Sequence, residues 1–99
     1  MTGYDISLRA EADIDEIWTY IAQRDFHAAD RLSDRFVAKF EMLSRQPLIG
    51  ELVGHLSPGL RCVPVGNYVV YYEIVRDRVS ISRVLHGSRD ITRFWGNQE

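Results

Sequence analysis

Apolar and polar positions along this chain change their period once, near residue 58, and that change predicts most of the fold. Residues 4–8 (Y-D-I-S-L) alternate loosely and predict a short first strand. Ser7 stands where a helix N-cap belongs, with Glu11, Asp13, Asp15 and Glu16 in the following N-terminal half, where carboxylates are favoured. Ala10, Ile14, Ile17, Trp18 and Ile21 recur at three- and four-residue intervals, giving that helix one apolar face. Asp25 reads as a second cap, after which Ala29, Leu32, Phe36, Phe40 and Leu43 keep the helical period until Pro47 and Gly50 end it. Two amphipathic helices on so short a connection predict an antiparallel hairpin.

Beyond Pro58-Gly59 the period becomes that of extended chain. Residues 60–65 (L-R-C-V-P-V), 68–75 (Y-V-V-Y-Y-E-I-V) and 79–86 (V-S-I-S-R-V-L-H) predict three strands, separated by Gly66-Asn67 and Arg76-Asp77 turns. Short turns make these an antiparallel meander, one face of which the hairpin covers. The expected fold is α+β, in the order β-α-α-β-β-β, as a single domain over residues 1–99. Pro64 lacks a ladder donor, which places strand 60–65 at an edge or at a bulge. In the last strand, alternation from Val79 and Ile81 would turn Arg83 onto the apolar face. Either a bulge near Ser82-Arg83 resets the phase, or Arg83 is inward and paired.

Composition narrows the function classes. The 45% apolar and 26% charged fractions are those of a globular chain, and no apolar run is long enough to cross a bilayer. The N-terminus has no signal-peptide pattern, so a cytoplasmic location without membrane association is expected. Cys62 is the only cysteine, and the three histidines share no metal-ligating spacing; no metal or cofactor is expected. The net charge of −2 argues against a general or sequence-specific nucleic-acid binder, yet all six basic residues after position 50 are Arg, whose planar fork suits anionic partners.

The stretch V-L-H-G-S-R-D (84–90) crowds together chemistry-bearing side chains. A serine-hydrolase reading of His86, Ser88 and Asp90 lacks the G-x-S-x-G setting, and Gly87 breaks the strand between its members. A ribonuclease is the stronger enzymatic alternative. It needs a base, an acid and cations for the phosphate, which His86, Arg61, Arg83 and Arg89 would supply if they converged on one sheet face. The competing reading makes Arg89-Asp90 a turn-fixing pair and His86 a strand-end residue. The tail I-T-R-F-W (91–95) either packs back on the sheet or offers itself to a partner.

Taken in order, G-L-R (59–61), G-N-Y-V-V-Y-Y-E-I (66–74) and R-V-L-H-G-S-R-D (83–90) resemble the RelE/ParE superfamily of bacterial type II toxins. The helix E-A-D-I-D-E-I-W-T-Y-I-A (11–22) extends the likeness over nearly the whole chain, and the ParE branch fits best. The resemblance implies two N-terminal helices on an antiparallel sheet and a ParD-like antitoxin of ribbon-helix-helix type. For the ParE branch it also implies DNA gyrase as the target, bound and poisoned without enzymatic turnover. RelE-type relatives instead cleave messenger RNA in the ribosomal A site, using several basic groups on the sheet. Strand 68–75 carries no Lys or Arg, and Glu73 would repel a phosphate. Arg89 matches a RelE basic position, whereas Trp95, near a RelE catalytic tyrosine, cannot deliver a proton. We therefore expect target contact from Arg89, Arg93, Phe94 and Trp95. Antitoxin contact is expected from Trp18, Ile21, Leu32, Phe36 and Arg61, on the hairpin and sheet edge.

Overall fold

The computed structural model describes residues 3–89 together with Ile91 and Trp95. Its elements run β1 (Tyr4–Ile6), α1 (Leu8–Ala22), α2 (Phe26–Arg45), β2 (Glu51–Leu52), β3 (Arg61–Val65), β4 (Tyr68–Val75) and β5 (Arg78–His86). Both caps form as the sequence predicts. Ser7 Oγ accepts from the Ala10 N–H at 3.0 Å, and Asp25 Oδ1 accepts from the Ala28 N–H at 3.0 Å. Ser7 leaves β1 to cap α1, so the first strand stops at Ile6 rather than reaching residue 8. The hairpin is pinned where its helices meet: Trp18 packs edge-on against Phe26, centroids 5.1 Å apart, and donates from Nε1 to Asp30 Oδ1 at 3.0 Å.

The five strands lie in the order β1-β5-β4-β3-β2. β3, β4 and β5 form the expected antiparallel meander. β1 joins its outer edge parallel to β5, so the sheet is mixed. β2 is a two-residue addition with both side chains exposed, too short to show any alternation in the sequence. It covers only Arg61 and Cys62, so β3 is an edge strand at Pro64, where the missing N–H costs nothing.

Phe36, Phe40 and Leu43 of α2 and Ala10 of α1 pack on Val63, Val65, Val70, Tyr72, Val79, Ile81 and Val84. The other sheet face is covered too. Val53, Leu56 and Leu60 from the β2–β3 connection pack there on Tyr71 and Leu85, with Ile91 and Trp95 against them. The adjacent Tyr71 and Tyr72 thus anchor opposite faces. Tyr72 is fully buried; its hydroxyl donates to the Pro47 carbonyl at 2.7 Å and accepts from the Gly50 N–H at 2.9 Å. A Cβ at Gly50 would overlap that hydroxyl and lie 2.7 Å from the ring's Cε1, which is why glycine follows the helix there.

Candidate functional site

The phase problem in β5 has a double answer. Tyr71 pairs with Arg83 while Tyr72 pairs with Ile81, leaving Ser82 as the extra residue of a β-bulge. The bulge returns Val84 to the helix-facing core, and Arg83 is paired as well. Its guanidinium donates from Nε and Nη2 to the two carboxylate oxygens of Asp13, at 2.8 and 2.9 Å. Asp13 Oδ2 also accepts the Val84 backbone N–H at 3.0 Å. β1 has ended by this point, so the carboxylate satisfies an edge donor that no strand reaches. Side-chain exposures of 14% for Arg83 and 10% for Asp13 mark the pair as structural. Asp13 holds the Arg83 guanidinium still more firmly in its charged form, against the cost of burial.

Of the remaining members of the nuclease set, Arg61 stands apart from His86 and Arg89. Arg61 Nη1 donates to the carbonyls of Leu48 and Gly50, at 3.2 and 2.8 Å, and so ties down the α2–β2 connection. Through β4, Arg61 aligns with Tyr72 and His86 with Tyr68, which separates them by about 13 Å along the strands and about 10 Å across them. His86 packs edge-on against Tyr68 at 5.3 Å. Its Nδ1 accepts from the Ser88 N–H at 3.1 Å and touches Ser88 Oγ at 2.8 Å. Accepting that amide places the proton of a neutral ring on Nε2 and commits Nδ1 to the turn. The Ser–His contact is therefore a local cap, and Asp90, the third member of the hydrolase reading, lies outside the described residues. Burial raises the hydroxyl pKa of Tyr68, Tyr71 and Tyr72 above the usual tyrosine value, which makes none of them a better acid for RNA cleavage. Burial likewise raises the Cys62 thiol, with Glu51 adding to the effect.

What the structure does assemble is a broad open cleft of about 890 Å³ toward the connected end of the hairpin, between α1, α2, the β3–β4 turn and the end of β5. Ile21 and Leu32 line it, with Tyr20, Tyr68, His86 and Arg89. Ile21 and Leu32, expected at the antitoxin, and Arg89, expected at the target, thus share one depression. The other residues fall elsewhere. Trp18 is half-buried at the hairpin connection, and Arg61 holds the opposite end of the sheet. Phe36 corrects the expectation outright: it is 2% exposed, stacked on Phe40, and offers no surface to a partner. Trp95 packs against Tyr71 with centroids 4.7 Å apart, so at this residue the tail returns to the sheet. Arg93 and Phe94 lie outside the described residues. Among the described residues, no cluster of three His, Cys, Asp or Glu side chains offers a metal site, and no helix is long and apolar enough to cross a membrane.

Sequence reasoning passed over Arg31, Arg35 and Lys39, although their four-residue spacing was plain in the chain. Arg35 and Lys39 border a depression with Pro64 and Val65 of β3, and Arg31 borders a second one that also reaches Arg35. Asp30 and Glu41 lie on another flank by helical phase, whereas Asp34 borders the same depression as Arg31 and Arg35.

A helix hairpin over a five-stranded mixed sheet, with this bulged last strand and its H-G-S-R corner, defines a small α+β protein of the RelE/ParE type. Residues 4–91 match the family model described as the ParE toxin of type II toxin–antitoxin systems, parDE. Toxin ParE1 of Caulobacter vibrioides is 40% identical over 89 residues, covering 89% of this chain and 92% of that protein. Toxin RelE1 of the same organism is 30% identical over 84 residues, covering 83% and 89%. A solved chain from the chromosomal ParDE system of P. aeruginosa matches with a TM-score of 0.75 over 87% of this chain and 96% of that one; at 17% identity it speaks for the fold alone. A chain of the RelBE2 toxin–antitoxin complex of Mycobacterium tuberculosis gives 0.58 at 25% identity, covering 85% and 95%. The chain belongs to the ParE toxin family of type II toxin–antitoxin systems.

Proposed function

We propose that this toxin arrests growth by binding, without turnover, and that DNA gyrase is what it binds. A ParD-like antitoxin of ribbon-helix-helix type, docking on the helix hairpin and the neighbouring sheet edge, neutralises it. The observation that carries the reading is that three of the four nuclease candidates are separately committed. Arg83 is committed to Asp13, Arg61 to two backbone carbonyls, and His86 to its own turn. A phosphoryl transition state needs cations and a proton donor converging on one point, and these residues do not converge. Expression of the chain without its partner tests it. DNA-damage signalling and failed replication preceding any fall in translation is the expected order, and early messenger cleavage overturns it.

One observation favours the runner-up. His86 and Arg89 line the same cleft, and a RelE-named relative is 30% identical. A RelE-type ribosome-dependent ribonuclease would lose messenger cleavage in His86→Ala and Arg89→Ala while both variants stay folded. On the binding reading neither change touches translation.

A further inference from the structure

We propose that the flank of α2 beside the free end of β3 is a docking groove for an acidic, amphipathic segment of a partner protein, held by side chains rather than by strand addition. This rests on the reading above that an antitoxin docks on the hairpin, and it specifies that partner's chemistry and mode.

Three features converge. Arg31, Arg35 and Lys39 stand at four-residue spacing with exposed or half-exposed side chains, and none makes an ion pair with another described residue. Between them the helix presents apolar Ala28, Ala38 and Met42, which with Pro64 and Val65 floor two shallow depressions that meet at Arg35. Arg35 also borders the 890 Å³ cleft, where Leu32 continues the apolar floor. From Ala28 to Met42 the groove runs about 21 Å, the length of a helix of some four turns. One carboxylate, Asp34, lines the groove beside Arg31 and Arg35, against three cations. Glu16 and Asp13 lie across the cleft on α1, and Asp13 is already paired with Arg83.

The sheet edge decides the mode. The Leu60 carbonyl accepts from the Val53 N–H, so alternate residues 60, 62 and 64 turn their backbone groups toward the β2 side. β2 ends opposite Arg61 and Cys62, leaving Pro64 as the next position on the open edge. Proline has no N–H to give, so an added strand would find an acceptor without its donor. Cations spaced along a helix, above an apolar floor and beside a blocked strand edge, suit carboxylates at matching spacing on a partner with one apolar face. A nucleic-acid backbone is disfavoured, because three cations are set in a chain of net charge −2.

The test uses the full chain and the product of the neighbouring reading frame, titrated against each other by calorimetry at two salt concentrations. Arg31→Glu/Arg35→Glu/Lys39→Glu should weaken binding by about 100-fold or more, and the wild-type affinity should fall with added salt. Glu41→Lys, on another flank of α2, should leave affinity within about threefold, and circular dichroism should show all variants folded. Arg35→Lys keeps the charge at an exposed position and serves as a conservative control that retains binding. Unchanged affinity in the triple variant overturns the groove while leaving the antitoxin reading intact. No binding by the wild-type chain overturns the antitoxin reading and the groove with it. Binding of a 20-nucleotide single strand or duplex that the triple variant abolishes would assign the same cations to nucleic acid and overturn the protein-partner proposal.

Discussion

At the scale of single residues, two polar groups hold this fold at places where apolar packing alone would fail. Asp13 satisfies the Val84 N–H and both arms of Arg83 at the point where β5 runs past the end of β1. Removing one partner strands the other inside: Asp13→Ala should cost about 3–5 kcal/mol, whereas Asp13→Leu/Arg83→Met should recover much of that loss. Chemical denaturation of the two variants measures the difference, and equal losses would show that apolar side chains cannot replace the pair. Tyr72 acts similarly at the other end of the sheet. Tyr72→Phe orphans the Pro47 carbonyl and the Gly50 N–H, with an expected cost of about 1–2 kcal/mol. Gly50→Ala should cost about 1–3 kcal/mol, because the new methyl must displace that ring. Neither partnership was legible in the chain. Asp13 looked like one of several helix-start acids, and Tyr72 like one of several strand aromatics; what distinguishes them is contact across 70 and 25 residues.

At the scale of elements, local signals carried far. Both helix caps, the hairpin and the three meander strands followed from spacing and turn chemistry, because each depends on neighbours in sequence. The parallel pairing of β1 with β5 did not, since three residues carry no record of which edge they join. β5 showed its bulge only as a break in alternation. The β4–β5 turn departs from the usual chemistry: Arg76 and Asp77 sit at φ of 53° and 66°, left-handed values that a two-residue hairpin of this hand normally assigns to Asn-Gly. Arg76→Asn/Asp77→Gly should therefore stabilise the chain by about 0.5–1 kcal/mol, seen as a higher denaturation midpoint. Unchanged or reduced stability would mean that the native pair earns its strain elsewhere.

At the scale of the whole molecule, both faces of the sheet are occupied, and this alters how the tail must be tested. Ile91 and Trp95 pack on the face opposite the helices, against the cluster of Tyr71 and Leu85. Deleting residues 91–99 would thus uncover apolar sheet as well as remove the proposed target contact, and a lost growth arrest could report either. Trp95→Ala separates them when set beside Tyr72→Phe, a change buried on the other face. Each should cost about 1–2 kcal/mol, Trp95 because it is half-buried rather than enclosed. With stabilities matched by denaturation, growth arrest on expression without a partner is the readout. Loss in Trp95→Ala with retention in Tyr72→Phe is the expected outcome if the tail meets the target. Equal toxicity in the two would confine Trp95 to holding the sheet and shift the search for target contact to Arg89 in the cleft.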